Sequence, residues 1–96
     1  MAAISLQSKP RRSRDITFQS MPPDTILLNL ESGYYYSTNK LGTETWQRCD
    51  GETTISAMIA ELHPHYEVSL EQLSADILGF IEEMVAEGLL LVEAHA

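Results

Sequence analysis

The chain has 96 residues, a formal net charge of −8, 44% hydrophobic and 21% charged residues, which fits one small folded domain and excludes a disordered composition. A single cysteine, Cys49, excludes an internal disulfide, and no apolar run reaches the roughly 18 residues of a membrane span, so a cytoplasmic chain outside the membrane is expected. Four of the six basic residues (Lys9, Arg11, Arg12, Arg14) lie in the first fourteen positions. All fourteen acidic residues follow from Asp15 onward, opposed only by Lys40 and Arg48, so the start carries +4 and the remainder −12.

Residues 1–14 show little periodicity and are expected to form a mobile basic N-terminal tail. No apolar run follows its arginines, so it does not read as an export signal. The domain proper is assigned to residues 15–96. Asp15 to Ser20 alternates Ile16 and Phe18 with polar neighbours, a first strand. Met21-Pro22-Pro23-Asp24 is turn chemistry. Thr25 to Leu30 is a second strand with Ile26, Leu28 and Leu30 on one face. Glu31-Ser32-Gly33 provides a hairpin turn, and Tyr34 to Thr38 is a third strand.

Three helices follow. Asn39 is the expected N-cap of the first, with Leu41, Thr45, Trp46 and Cys49 on one face and Asp50-Gly51 as its stop. Thr53 or Thr54 caps the second, which turns Ile55, Met58, Ile59 and Leu62 inward and ends at His63-Pro64-His65-Tyr66. Ser69 and Gln72 form a capping-box pattern opening the third. Its stripe is Leu70, Leu73, Ile77, Phe80, Ile81, Met84 and Val85, with Glu71, Glu82, Glu83 and Glu87 on the outer side and Gly88 at the C′ position. Leu89 to Val92 is expected to pack back on the core. The fold class is α+β, a three-stranded antiparallel sheet followed by three helices, the parts of a winged helix-turn-helix.

No catalytic constellation stands out. The glycines are scattered, so no phosphate loop exists. The histidines are His63, His65 and His95; His63 and His65 with Cys49 match no strong metal-ligand spacing, and no metal or other cofactor is expected. Cys49 sits on the inward face of its helix, where a buried small hydrophobe is expected rather than a nucleophile. Trp46 is assigned to the core. Asp76 interrupts the third helix's apolar stripe and is read as lying on its solvent flank or at a functional groove. Tyr34, Tyr35 and Tyr36 cannot all face one way, since successive strand side chains alternate. One reading is cross-strand packing. The other is an open sheet edge: in a meander ordered 1-2-3, the third strand has unpaired N–H and C=O groups that template a foreign strand.

The ordered set Leu28, Leu30, Gly33, Tyr35, Tyr36, Asn39, Gly42, Trp46, Asp50, Gly51, Thr54, Asp76, Phe80, Gly88 and Leu89 resembles the PqqD-like family over about residues 15–92. Thr38 departs from it, standing where the family commonly has Leu, which removes core volume at the end of the third strand. The resemblance implies a winged helix-turn-helix-like domain that binds leader segments of ribosomally synthesised, post-translationally modified peptides. The domain would then present the precursor to a modifying enzyme such as a radical SAM enzyme or a leader peptidase. It implies that the leader adds to the third strand, with Tyr34, Tyr35, Tyr36, Ser37 and Thr38 as contacts, and that its apolar side chains lie against the third helix at Asp76, Ile77, Phe80 and Met84. Which tyrosine faces the guest stays open.

The expected function is therefore a non-catalytic peptide chaperone. The alternative, a winged-helix DNA-binding regulator, conflicts with charge: residues 54–87 contain no Lys or Arg, and a −12 body is repelled by phosphates. An open edge can also pair with itself, which leaves a homodimer open.

Overall fold

The computed structural model describes residues 4–92. The expected meander is present as β2 (Ile16–Met21), β3 (Asp24–Asn29) and β4 (Tyr35–Thr38), an antiparallel sheet ordered β2-β3-β4. Pro22 and Pro23, joined by a cis peptide bond, form the first turn. The second is closed by Asn29, whose Oδ1 accepts from the N–H groups of Glu31 and Ser32, and by Gly33 at φ 80°. Three helices follow: α1 (Lys40–Gln47), α2 (Ile55–Leu62) and α3 (Leu70–Ala86), with a 3₁₀ turn at His63–His65 between the last two.

The caps fall where local chemistry puts them. Asn39, Thr54 and Ser69 have extended backbones, and each side chain accepts the N–H three residues on, at Gly42, Ala57 and Gln72. The capping box of α3 forms only in half, because the Gln72 amide donates to Asp76 Oδ1 instead of turning back to Ser69. Gly88, at φ 76°, ends α3, and the Leu89 N–H bonds back to the Met84 carbonyl.

The sheet's inner face and the three helices share one core. Leu27, Trp46, Ile55, Met58, Leu62, Leu73, Ile77 and Ile81 are at most 1% exposed. Each such side chain contributes about 1.5–3 kcal/mol by leaving water. Trp46 belongs to this core, its ring edge-on to Phe18 at 6.2 Å between centroids.

Two expectations are corrected. The first concerns the end of the second strand. Ile26 and Leu28 share a face, which is the sheet's outer one, but Leu30 lies beyond the strand and is exposed. The core takes Thr25 and Leu27 instead. The run Ile26-Leu27-Leu28 is apolar on both faces, so alternation alone could not tell inside from outside.

The second concerns the start of the chain. Residues 4–14 are not a mobile tail. Arg11–Arg12 form β1, paired antiparallel with β5 (Leu90–Leu91) in a separate two-stranded sheet. Upstream, the carbonyls of Leu6 and Ser8 accept the N–H groups of Ser56 and Ile55. These are two of the four donors that the first turn of α2 cannot satisfy itself. Ser8 is fully buried, and the Arg12 guanidinium stands over the Phe18 ring at 5.9 Å. Polar composition hid this, because the strap is held by backbone bonds that any sequence can make. Leu89 and Leu90 pack onto the core, as expected of the C-terminal apolar run.

Candidate functional site

The site is built around β4, which has β3 on one side and no described neighbour on the other. The register pairs Leu28 with Tyr35, Leu27 with Tyr36, Ile26 with Ser37 and Thr25 with Thr38. One step beyond, the Asn29 N–H donates to the Tyr34 carbonyl at 2.9 Å. In an antiparallel ladder, bonded and non-bonded pairs alternate. Tyr36 and Thr38 therefore direct their N–H and C=O groups to β3, and Tyr35 and Ser37 direct theirs outward. The unpaired edge is thus presented by Tyr35 and Ser37, not by Tyr36.

The side chains divide the other way. Tyr35 and Ser37 lie on the outer face with Leu28 and Ile26. Tyr35 is 72% exposed, and Tyr34, just before the strand, is 69% exposed. The outer face holds a shallow hollow of about 510 Å³ lined by Thr17, Phe18, Gln19, Ile26, Leu28 and Tyr35. Tyr36 is half-buried on the inner face, and its hydroxyl donates to Glu87 Oε2 at 2.5 Å. That carboxylate acceptor, with a smaller desolvation effect, raises the Tyr36 hydroxyl above its ordinary pKa.

Between β4 and α3 runs a groove of about 520 Å³ lined by Asp24, Ser37, Thr38, Asn39, Leu41, Gly42, Phe80 and Glu83. Its floor depends on Gly42. A Cβ there would overlap Thr38 Oγ1 and come within 3.0 Å of Thr38 Cβ and Phe80 Cε1. Thr38, where a leucine was noted as usual, is the last residue of β4 and still pairs with Thr25. The small hydroxyl side chain fits beside Gly42.

Of the expected α3 contacts, only Phe80 lines the groove. Ile77 is fully buried and Met84 nearly so, because both point into the core. Asp76 is exposed and bonded by Gln72. Helical geometry places Asp76, Phe80, Glu83 and Glu87, spaced 4, 3 and 4 apart, in one stripe. Glu83 and Glu87 had been assigned to the outer side, yet one lines the groove and the other holds Tyr36. Their spacing from Phe80 was the signal that would have found them. Asp24, Asn39, Leu41 and Gly42 had no such signal, since they reach the groove through tertiary packing.

The remaining reactive groups lie elsewhere. Cys49 is buried, its Sγ donates to the Thr45 carbonyl, and desolvation pushes its thiol up to about 12. His63 Nε2 sits 3.0 Å from the Val68 carbonyl, and His95 lies outside the described residues. Among the described residues no group of three or more His, Cys, Asp or Glu is arranged to hold a metal ion. At pH 8 the folded protein should leave Cys49 unreacted with a chromogenic disulfide for hours, with full reaction on adding denaturant. Rapid labelling of the native protein would contradict the buried thiol.

Residues 24–90 match the family model described as coenzyme PQQ synthesis protein D, PqqD. No curated protein sequence matches the chain. Two solved structures are similar in fold. TbiB1, solved in complex with the TbiA(beta) leader peptide, is 17% identical with a TM-score of 0.76, over 90% of this chain and 98% of its own. Lasso peptide synthetase B1, complexed with the leader peptide, is 22% identical with a TM-score of 0.77, over 86% of this chain and 98% of its own. At these identities the likeness establishes the fold, and with it the winged helix-turn-helix-like arrangement.

Proposed function

This chain belongs to the PqqD family, and from that premise we propose that it is a non-catalytic peptide chaperone. It binds the leader segment of a ribosomally made precursor as an added strand on β4 and presents it to a modifying enzyme. The observation that carries the reading is the outward N–H and C=O groups of Tyr35 and Ser37 beside a groove walled by Phe80. Strand addition uses such backbone groups for affinity and the flanking hollows for choice of side chain. Both structural likenesses were solved with leader peptides bound, which supports the same guest here. The enzyme served is a radical SAM enzyme or a leader peptidase, and the lasso peptide name among the likenesses favours the second. The peptide contacts are Tyr34, Tyr35, Ser37 and Thr38 with Phe80, while Tyr36, Ile77 and Met84 hold the groove walls from the core side. Asp76 extends the α3 wall by one turn.

Charge supports a peptide over a duplex as the guest. α2 and α3 together carry no Lys or Arg, so a recognition helix inserted into DNA would meet phosphates unneutralised. No described helix is long and apolar enough to cross a membrane, and the cytoplasm, where precursors are made, is the proposed compartment.

The test is a titration of isotope-labelled protein with the leader segment of the nearest short peptide gene, followed by backbone amide shifts. Shifts should concentrate in residues 34–38 and 76–87. Shifts confined to residues 9–14 would defeat the reading. Because the body is acidic, affinity should fall about twofold to fivefold between 50 and 200 mM salt, mostly through slower association. Salt-independent affinity would remove electrostatics as a selector.

A further inference from the structure

Resting on the reading that β4 takes a guest strand, we infer that Thr38 and Tyr36 impose a size rule on it. The guest side chain beside Thr38 is large and apolar, and the one beside Tyr36, two residues along the guest, is small. Cross-strand neighbours share a face, so guest residues opposite Tyr36 and Thr38 turn toward α3 with them, and those opposite Tyr35 and Ser37 turn to the outer face. The two inward places differ in what already fills them. Beside Thr38 the space is open. The groove of about 520 Å³ lies there, with Thr38, Leu41, Gly42 and Phe80 among its lining and Tyr36 absent from it. Leu41 and Phe80 are half-buried against the core and still border the groove, so a large apolar guest side chain would take their remaining surface out of water. Asp24 and Glu83 line it too, but both are exposed and keep their hydration.

Beside Tyr36 the place is taken. The tyrosine side chain crosses from β4 to the end of α3, where its hydroxyl donates to Oε2 of Glu87, the C-cap residue. Glu87 lies seven positions beyond Phe80, about 10 Å along the helix axis. The Tyr36–Glu87 clasp and the hollow at Thr38 therefore stand at opposite ends of one gap between β4 and α3. A large guest side chain at the clasp would have to push the tyrosine off Glu87 and lose that hydrogen bond, whereas glycine, alanine or serine passes over it. Gly42 completes the contrast. Without a Cβ it lets the Thr38 hydroxyl settle onto α1, away from the guest. A leucine at position 38, the residue noted as usual there, would instead fill the hollow from the strand side.

The test is selection from a displayed library of random nine-residue peptides on immobilised wild-type protein. Parallel selections use Thr38→Leu, Tyr36→Val and Tyr35→Pro, each checked for native circular dichroism. The wild-type pool should carry one large apolar residue with Gly, Ala or Ser two places away, always on the same side. Trimming that large residue to alanine in a synthetic peptide should weaken binding roughly tenfold to hundredfold. On Thr38→Leu the same peptide should lose most of that advantage, and the newly selected pool should favour small residues at the anchor place. On Tyr36→Val large residues should enter the second place while the anchor persists. Glu87→Ala, which frees the tyrosine without altering β4, should relax that second place in the same direction and serves if Tyr36→Val does not fold. A pool that is lost on Tyr35→Pro but keeps its size pattern on Thr38→Leu, or shows no size pattern, would overturn the inference and leave strand addition standing. A pool indifferent to Tyr35→Pro, or no pool at all, would overturn both.

Discussion

Replacing Tyr35 with proline should cost about 30-fold to 100-fold in leader affinity and leave the fold in place. The Tyr35 N–H points away from β3, so the ladder loses nothing, and proline is tolerated on a sheet edge in just this orientation. The guest loses a backbone hydrogen bond at the centre of the edge and meets the pyrrolidine ring in its place. One bond contributes about 1 kcal/mol, and an acceptor left unpaired but partly wet at the exposed edge costs about 1–1.7 kcal/mol more, which together give the stated factor. The control is the neighbour. Tyr36→Pro removes a bond to β3 and should unravel the sheet's edge, visible as a lowered melting temperature before any peptide is added. Isothermal titration of both variants with the same leader separates the two effects. Equal affinity for wild type and a folded Tyr35→Pro would move the docking site off β4.

Gly42→Ala should destabilise the domain by about 1–3 kcal/mol, although alanine is the better helix former by about 1 kcal/mol. The sign turns on the close approach of α1, β4 and α3. The new methyl would occupy the position of Thr38 Oγ1 and press on Phe80. Either Thr38 turns away or the end of β4 lifts from α1, and in both cases the groove floor changes. The melting temperature should drop by roughly 4–8 °C for each kcal/mol lost. Leader affinity should drop with it, since Thr38 and Phe80 both line the groove. A double variant, Gly42→Ala with Thr38→Ala, removes the worst overlap and should recover part of the stability. An alanine that raises the melting temperature would show that the packing at Gly42 has slack.

The helices were legible because each signal was local: a cap residue, a 3.6-residue stripe and a glycine at the end. Asn39, Thr54, Ser69 and Gly88 all took the roles their chemistry assigned. The meander was legible from turn residues and alternation. What failed depended on contacts far apart in sequence. Which face of Ile26-Leu27-Leu28 is buried is decided by where the helices land, and β1 exists only because Leu90–Leu91 arrives beside it. The same holds for the site. Its strand residues could be named, but the phase of the ladder, and so the choice of Tyr35 over Tyr36, needed the register. On α3 the core side was mistaken for the groove side at Ile77 and Met84, because the helix's apolar stripe is wider than the part that borders the groove.

The pairing of Arg11 with Leu91 sets the first and last strands of the fold side by side. A unit with adjoining ends can be spliced into a loop of a larger protein at little loop-closure cost, or circularly permuted by a short bridge. On the proposed reading, the peptide-binding unit can therefore serve as a cassette: carried inside an enzyme, hung from either end of one, or supplied separately, without redrawing the groove.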